Sequence, residues 1–190
     1  MSWATAVTIT RIALVPVFVY FMYAGVVYGQ DPATRLAPVV ALAVFAVAAL
    51  TDSLDGYLAR RYERVTRLGQ FLDPLADKLL VGAALFVLVA LRDFPLWAAA
   101  VIVVREVAVS LLRVAALRRG RSLPASALGK IKTALQIPTV FVWLLPRADS
   151  LRLVQDVAVW VAVALTVLSG LQYFARAGTL LAGRERAEVS

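Results

Sequence analysis

Long apolar runs separated by short, mostly basic connections make up nearly all of this chain. A helix needs about 20 mainly apolar residues to cross a bilayer. On that rule the pattern predicts six spans, at roughly 7–28, 36–59, 73–91, 95–118, 129–146 and 152–175. The first run resembles a secretory leader in length, but Arg11 lies inside it, no small-residue cleavage site stands out, and five further runs follow. It is therefore read as a retained helix. No repeat, low-complexity tract or long linker divides the chain. The expected organisation is an all-α integral membrane protein, with a single six-helix catalytic domain over 1–176 and a short charged tail over 177–190.

Composition supports the membrane class. Of 190 residues, 62% are hydrophobic, against about 45–50% in soluble domains. The chain has no cysteine and no histidine, which excludes disulfides and thiolate or imidazole metal sites. Proton transfer then falls to carboxylates, lysines, hydroxyls or the substrate. The net charge of +8 sits mainly in the connections, which reads as the positive-inside bias rather than as nucleic-acid binding. One side holds both termini with Arg60, Arg61, Arg64, Arg67, Arg118, Arg119, Arg121, Lys130, Lys132, Arg176, Arg184 and Arg186, while the other holds Arg35, Arg92, Arg147 and Arg152. The richer side is expected to be cytoplasmic.

Charge of the other sign clusters in "TDSLDGYLARRYERVTRLGQFLDPLADK", residues 51–78. On a helix Asp52, Asp55, Gly56 and Ala59 share one face at the cytoplasmic end of the second span, and Asp73 and Asp77 stack at the start of the third. Asp73 before Pro74 also reads as a helix N-cap. Four carboxylates at this depth repel one another unless positive charge sits among them. Arginines of the loop could supply it. Divalent cations supply it better, because hard oxygen donors suit Mg²⁺, Mn²⁺ or Ca²⁺, and two ions about 3.5–4 Å apart would clamp a displacement at phosphorus. Gly56, Ala59 and Gly69 are small positions that let a backbone or a flat nucleotide come close.

The stretch fits D-x2-D-G-x2-A-R-x8-G-x3-D-x3-D without a gap, through Asp52, Asp55, Gly56, Ala59, Arg60, Gly69, Asp73 and Asp77. It resembles the CDP-alcohol phosphatidyltransferase family, integral membrane enzymes that move a phosphatidyl or similar group from a CDP-linked donor to an alcohol. The resemblance implies that family's six-helix fold with both termini cytoplasmic, two bound Mg²⁺ or Mn²⁺ ions, and usually a homodimer in the inner membrane. It implies Asp52, Asp55 and Asp73 as metal ligands, Asp77 as general base beside a metal, and the cytidine donor against Asp52, Gly56, Ala59, Arg60 and Gly69.

A second stretch, "REVAVSLLRVAALRRGRSLPASALGKIKTALQ" over 105–136, bears on the acceptor. Arg105, Glu106 and Arg113 lie within the fourth span, where ionisable groups are costly and by default functional. One reading is an internal Arg–Glu pair that holds helices together. The other is a basic pocket of Arg105, Arg113, Lys130 and Lys132, with Arg176 of the sixth span, for an acceptor that carries phosphate. The R-E, V-S-x-L-R and A-S-x-L-G-K-x-K-T elements resemble the family branch that transfers the lipid from CDP-diacylglycerol to sn-glycerol 3-phosphate. That branch commonly has asparagine six residues before the arginine of the first span, where this chain has Thr5. Inositol phosphate, or phosphatidylglycerol giving cardiolipin, remains an alternative acceptor, and a divalent cation transporter is the alternative outside enzymes. Thr8 and Arg11, and Ser169, Gln172, Tyr173 and Arg176, are further candidates for a polar cavity. For the second group, hydrogen bonds between helices are an equal alternative. Trp97, Trp143 and Trp160 are expected to anchor or pack.

Overall fold

The computed structural model describes the backbone of residues 3–62, 67–118, 120, 126–145 and 148–182, and the side chains within them except 3–5, 52–62, 67–75, 77 and 179–182. Among these residues six helices form: α1 (Trp3–Val27), α2 (Ala37–Tyr62), α3 (Arg67–Leu91), α4 (Leu96–Arg118), α5 (Ala127–Leu144) and α6 (Asp149–Ala182). Each contains most of one apolar run. Ala6–Val27 and Asp149–Gly178 are long and apolar enough to cross a bilayer, while Ala37–Thr51 and Lys78–Leu91 are shorter apolar stretches. Phe86, Leu96, Leu153 and Trp160 all face outward. A bundle that is apolar outside as well as inside suits lipid better than water.

The structure corrects one expectation. Asp73 does not cap α3, because that helix starts at Arg67 and already includes Asp73 and Pro74. Leu68, Phe71, Leu72 and Leu75 recur at helical spacing and carry the helix back past the proline, which removes only one backbone hydrogen bond. α6 likewise runs to Ala182, beyond the apolar run that predicted it.

The chain forms two compact units, Met1–Phe94 with Val140–Arg147, and Pro95–Thr139 with Ala148–Ser190. In the first, α1 packs against α2 and α3. The α1–α2 pair is antiparallel: Gly25 lies against the Pro38 ring, where a Cβ would come within 2.4 Å, and the Phe18 and Phe45 rings meet at 5.6 Å. Buried alanines, Ala37, Ala41, Ala48 and Ala49 on α2 and Ala76 and Ala84 on α3, let the helices approach closely, as packing in lipid requires. Buried Trp143 meets Phe94 edge-on at 4.9 Å.

In the second unit α4 packs against α6 around Val109, Ala116, Tyr173 and Ala177. Trp97 and Trp160 lie together on its surface, with ring centroids 5.1 Å apart.

Candidate active site

In the first unit the motif residues fall on two consecutive helices. Asp52, Asp55, Gly56, Ala59 and Arg60 lie on α2, and Gly69, Asp73 and Asp77 lie on α3. Their side chains lie outside the described residues, so the site is built from backbone positions. Asp52 is ten residues before the end of α2 and Asp77 ten residues after the start of α3, which places both about 15 Å along their helices from the connection at 1.5 Å per residue. Asp55 and Asp73 are seven and six residues from the same ends. Counted from that connection, the aspartates form an inner pair, Asp52 and Asp77, and an outer pair, Asp55 and Asp73. Four carboxylates on consecutive helices, in a chain without histidine or cysteine, have the donor chemistry of hard divalent cations and of no softer metal.

The basic residues belong to the second unit. Arg105 on α4 donates through Nη1 to Glu106 Oε1 at 3.0 Å and through Nη2 to Ser169 Oγ on α6 at 3.0 Å. Lys132 on α5 donates to the same Glu106 oxygen. One carboxylate therefore joins two cations, and the group keeps a formal charge of +1. The Lys132 side chain is 3% exposed, that of Arg105 12% and that of Glu106 28%.

Local structure explains how the three helices meet here. Ser126 caps α5, its Oγ accepting from Gly129 N at 3.0 Å, and so aims the first turn of the helix that carries Lys132. Gly170 on α6 leaves room for Arg105, since a Cβ there would come within 3.3 Å of Arg105 Cγ. Two turns further along α4, Arg113 donates to the Tyr173 hydroxyl at 2.9 Å and lies 5.9 Å from the centre of its ring. The order of these contacts makes α4 and α6 parallel.

Both readings of the second stretch have a counterpart in this geometry. The Arg105–Glu106 pair exists, and Ser169 and Tyr173 do tie α6 to α4. Yet the pair alone would be neutral, and Lys132 makes it cationic. Arg105 and Lys132 come together at Glu106, Arg113 goes to Tyr173, and Lys130 and Arg176 are exposed on α5 and α6. Sequence reasoning quoted Ser126 within the A-S-x-L-G-K-x-K-T element without giving it a role and missed Gly170; the serine before a helical run and the small residue beside Ser169 were their signals.

A helical, lipid-suited fold that carries this aspartate motif on consecutive helices defines a membrane enzyme of phosphatidyl transfer to alcohols. The profile of the CDP-alcohol phosphatidyltransferase family matches residues 1–168, and the chain belongs to that family. It is 42% identical to a probable phosphatidylglycerophosphate synthase of Mycobacterium tuberculosis, over 92% of this chain and 80% of that one. It is 43% identical to a CDP-diacylglycerol–glycerol-3-phosphate 3-phosphatidyltransferase of Bacillus subtilis, over 90% of this chain and 92% of that one. A Salmonella typhimurium protein of the same name is 39% identical over 93% of this chain and 96% of its own.

Proposed function

We propose that the chain transfers the phosphatidyl group of CDP-diacylglycerol to sn-glycerol 3-phosphate, giving phosphatidylglycerophosphate and CMP. The observation that carries this is the Arg105–Glu106–Lys132 cluster, two cations on one carboxylate among the described residues, held in a largely apolar unit. A neutral acceptor would need no such surplus, whereas an acceptor phosphate would be bound by it. The names of the relatives from Mycobacterium, Bacillus and Salmonella support the same acceptor.

Roles follow from chemistry. Asp52, Asp55, Asp73 and Asp77 would hold the divalent ions, Mg²⁺ or Mn²⁺ and two in number. Bound there, the ions would neutralise the donor pyrophosphate and the departing CMP. Gly56, Ala59 and Gly69 leave room for the cytidine, with Arg60 beside them in sequence. Arg105, Arg113, Lys130, Lys132 and Arg176 hold the acceptor phosphate. Asp77 takes the proton of the acceptor hydroxyl as its oxygen attacks the lipid-linked phosphorus; the bond from that phosphorus to the CMP oxygen breaks, and CMP leaves with the electron pair.

The same reading gives six alternating spans in the cytoplasmic (inner) membrane, both termini and the active site on the cytoplasmic side, residues 1–176 acting as one catalytic domain, and a homodimer. The antiparallel α1–α2 pair and the parallel α4–α6 pair support the alternation, and the basic connections support the orientation.

Purified protein incubated with CDP-diacylglycerol, Mg²⁺ or Mn²⁺ and separate acceptors tests the assignment through CMP release. CMP should appear with glycerol 3-phosphate. Release with inositol phosphate or phosphatidylglycerol, and none with glycerol 3-phosphate, would overturn the acceptor and leave the reaction type standing.

A further inference from the structure

Arg11 is 2% exposed within α1, and so is Thr8 one turn before it. An arginine this deep in an apolar helix needs a partner of opposite charge, and the register of α1 on α2 points to one. Gly25 meets Pro38 and Phe18 meets Phe45, so each step of seven residues back along α1 matches a step of seven forward along α2. The next step pairs the level of Arg11 with that of Asp52. Thr8 falls level with Asp55 by the same count.

The face itself supports the extrapolation. On α1 positions 8, 11, 15, 18, 22 and 25 are each buried or half-buried, as are 38, 41, 45 and 48 on α2, with Ala24, Ala37 and Ala49 buried beside them. Both are alternating steps of three and four, the pattern of a continuous seam between helices. On α1 the seam passes Pro16 without changing face, and on α2 its next position is 52. α1 also packs against α3, the helix that carries Asp77.

We infer that Arg11 is a positioning residue of the donor site: its buried guanidinium, level with Asp52, offsets the inner aspartates and sets how tightly they take a divalent cation. This rests on the proposed metal role of the aspartates. The neighbouring positive charge stabilises the carboxylates before an ion arrives and opposes the ion when it does. Losing it should loosen the metal-free protein and tighten metal binding, a combination that a merely structural arginine would not produce.

The test is Mn²⁺ binding to the purified full-length protein in detergent without substrate, followed by calorimetry or by loss of the free-ion paramagnetic resonance signal, together with the thermal midpoint of the metal-free form. Arg11→Met should bind Mn²⁺ at least about threefold more tightly, as expected when a unit charge within several ångströms is lost even at high dielectric. Arg11→Lys should stay within about twofold of the parent, because the charge remains. Arg11→Met should also lower the metal-free midpoint, and Asp52→Asn in that background should restore it. Mn²⁺ affinity of Arg11→Met equal to or weaker than the parent's overturns the inference. If Arg11→Met alone does not fold, rescue by Asp52→Asn supports it and failure of that rescue overturns it. A parent protein that binds no Mn²⁺ would instead overturn the metal reading beneath it.

Discussion

The cation cluster of the second unit makes an asymmetric prediction about stability. Among the described residues Glu106 is the carboxylate shared by Arg105 and Lys132, so deleting the anion differs from deleting either cation. Breaking a buried ion pair by removing one partner costs about 3–5 kcal/mol. Glu106 is 28% exposed, which lets some water reach the cations, so Glu106→Gln should fall at the low end, about 3 kcal/mol. Lys132→Met keeps most of the buried stem and leaves Glu106 with Arg105 at 3.0 Å, so its loss at this carboxylate should cost about 1 kcal/mol, the worth of one hydrogen bond. In the double variant a single cation remains, still donating to Ser169 at 3.0 Å, and the loss should be about 2 kcal/mol, less than for Glu106→Gln alone. Thermal denaturation in one detergent should therefore rank the parent first, then Lys132→Met, the double variant and Glu106→Gln. Lys132→Met as damaging as Glu106→Gln, or a double variant equal to the sum of the singles, would refute the shared-carboxylate account.

Other outcomes follow from the same geometry. On the proposed assignment Asp55→Asn removes a metal ligand and no packing, so it should abolish CMP release, at least about a thousandfold, with the thermal midpoint little changed; retained turnover would remove Asp55 from the metal set. Tyr173→Phe takes the hydroxyl from Arg113, whose bond is 2.9 Å, and should raise the KM for glycerol 3-phosphate about three- to tenfold, a hydrogen bond's worth, with the KM for CDP-diacylglycerol unchanged. The chain contains no cysteine, so single Ser150→Cys and Ser190→Cys variants can be labelled with an impermeant maleimide in inside-out and right-side-out vesicles. Ser190→Cys should react only from the cytoplasmic side and Ser150→Cys only from the other; labelling of both from one side would contradict alternating spans.

Much of the helix order was legible because lipid imposes a length on every span and leaves the apolar runs unbroken. The ends were less legible where a helix continues into polar sequence. The apolar run predicted a start at 73 for the third helix, while Leu68, Phe71 and Leu72 extend it back to Arg67. The aspartate motif is local, within 26 residues from Asp52 to Asp77, so spacing alone could propose it. The basic cluster is not local: Arg105 meets Ser169 at a separation of 64 residues and Lys132 meets Glu106 at 26. Sequence could name those side chains but could not say that one carboxylate joins them. Arg11 shows the same limit, for its level depends on a register fixed by Gly25 and Phe18, far from the motif.

The two sets of residues make opposite electrostatic demands, and this separates their ligand requirements. On the proposed assignment, four aspartates with Arg11 would leave a strong negative charge, so the donor's pyrophosphate would bind there only after divalent cations reverse the sign. The Arg105–Glu106–Lys132 group is already cationic without any metal, and Arg113 adds a further guanidinium fixed by Tyr173. Removing divalent ions with a chelator should therefore abolish binding of a soluble CDP-diacylglycerol analogue while leaving glycerol 3-phosphate binding within about twofold, if its phosphate is held by side-chain cations alone as proposed. Calorimetry of the detergent-purified protein with each ligand, in excess chelator and then in excess Mg²⁺, distinguishes the cases. If glycerol 3-phosphate binding also vanished with the metal, its phosphate would have to depend on the ions, and the basic cluster would revert to a tie between helices.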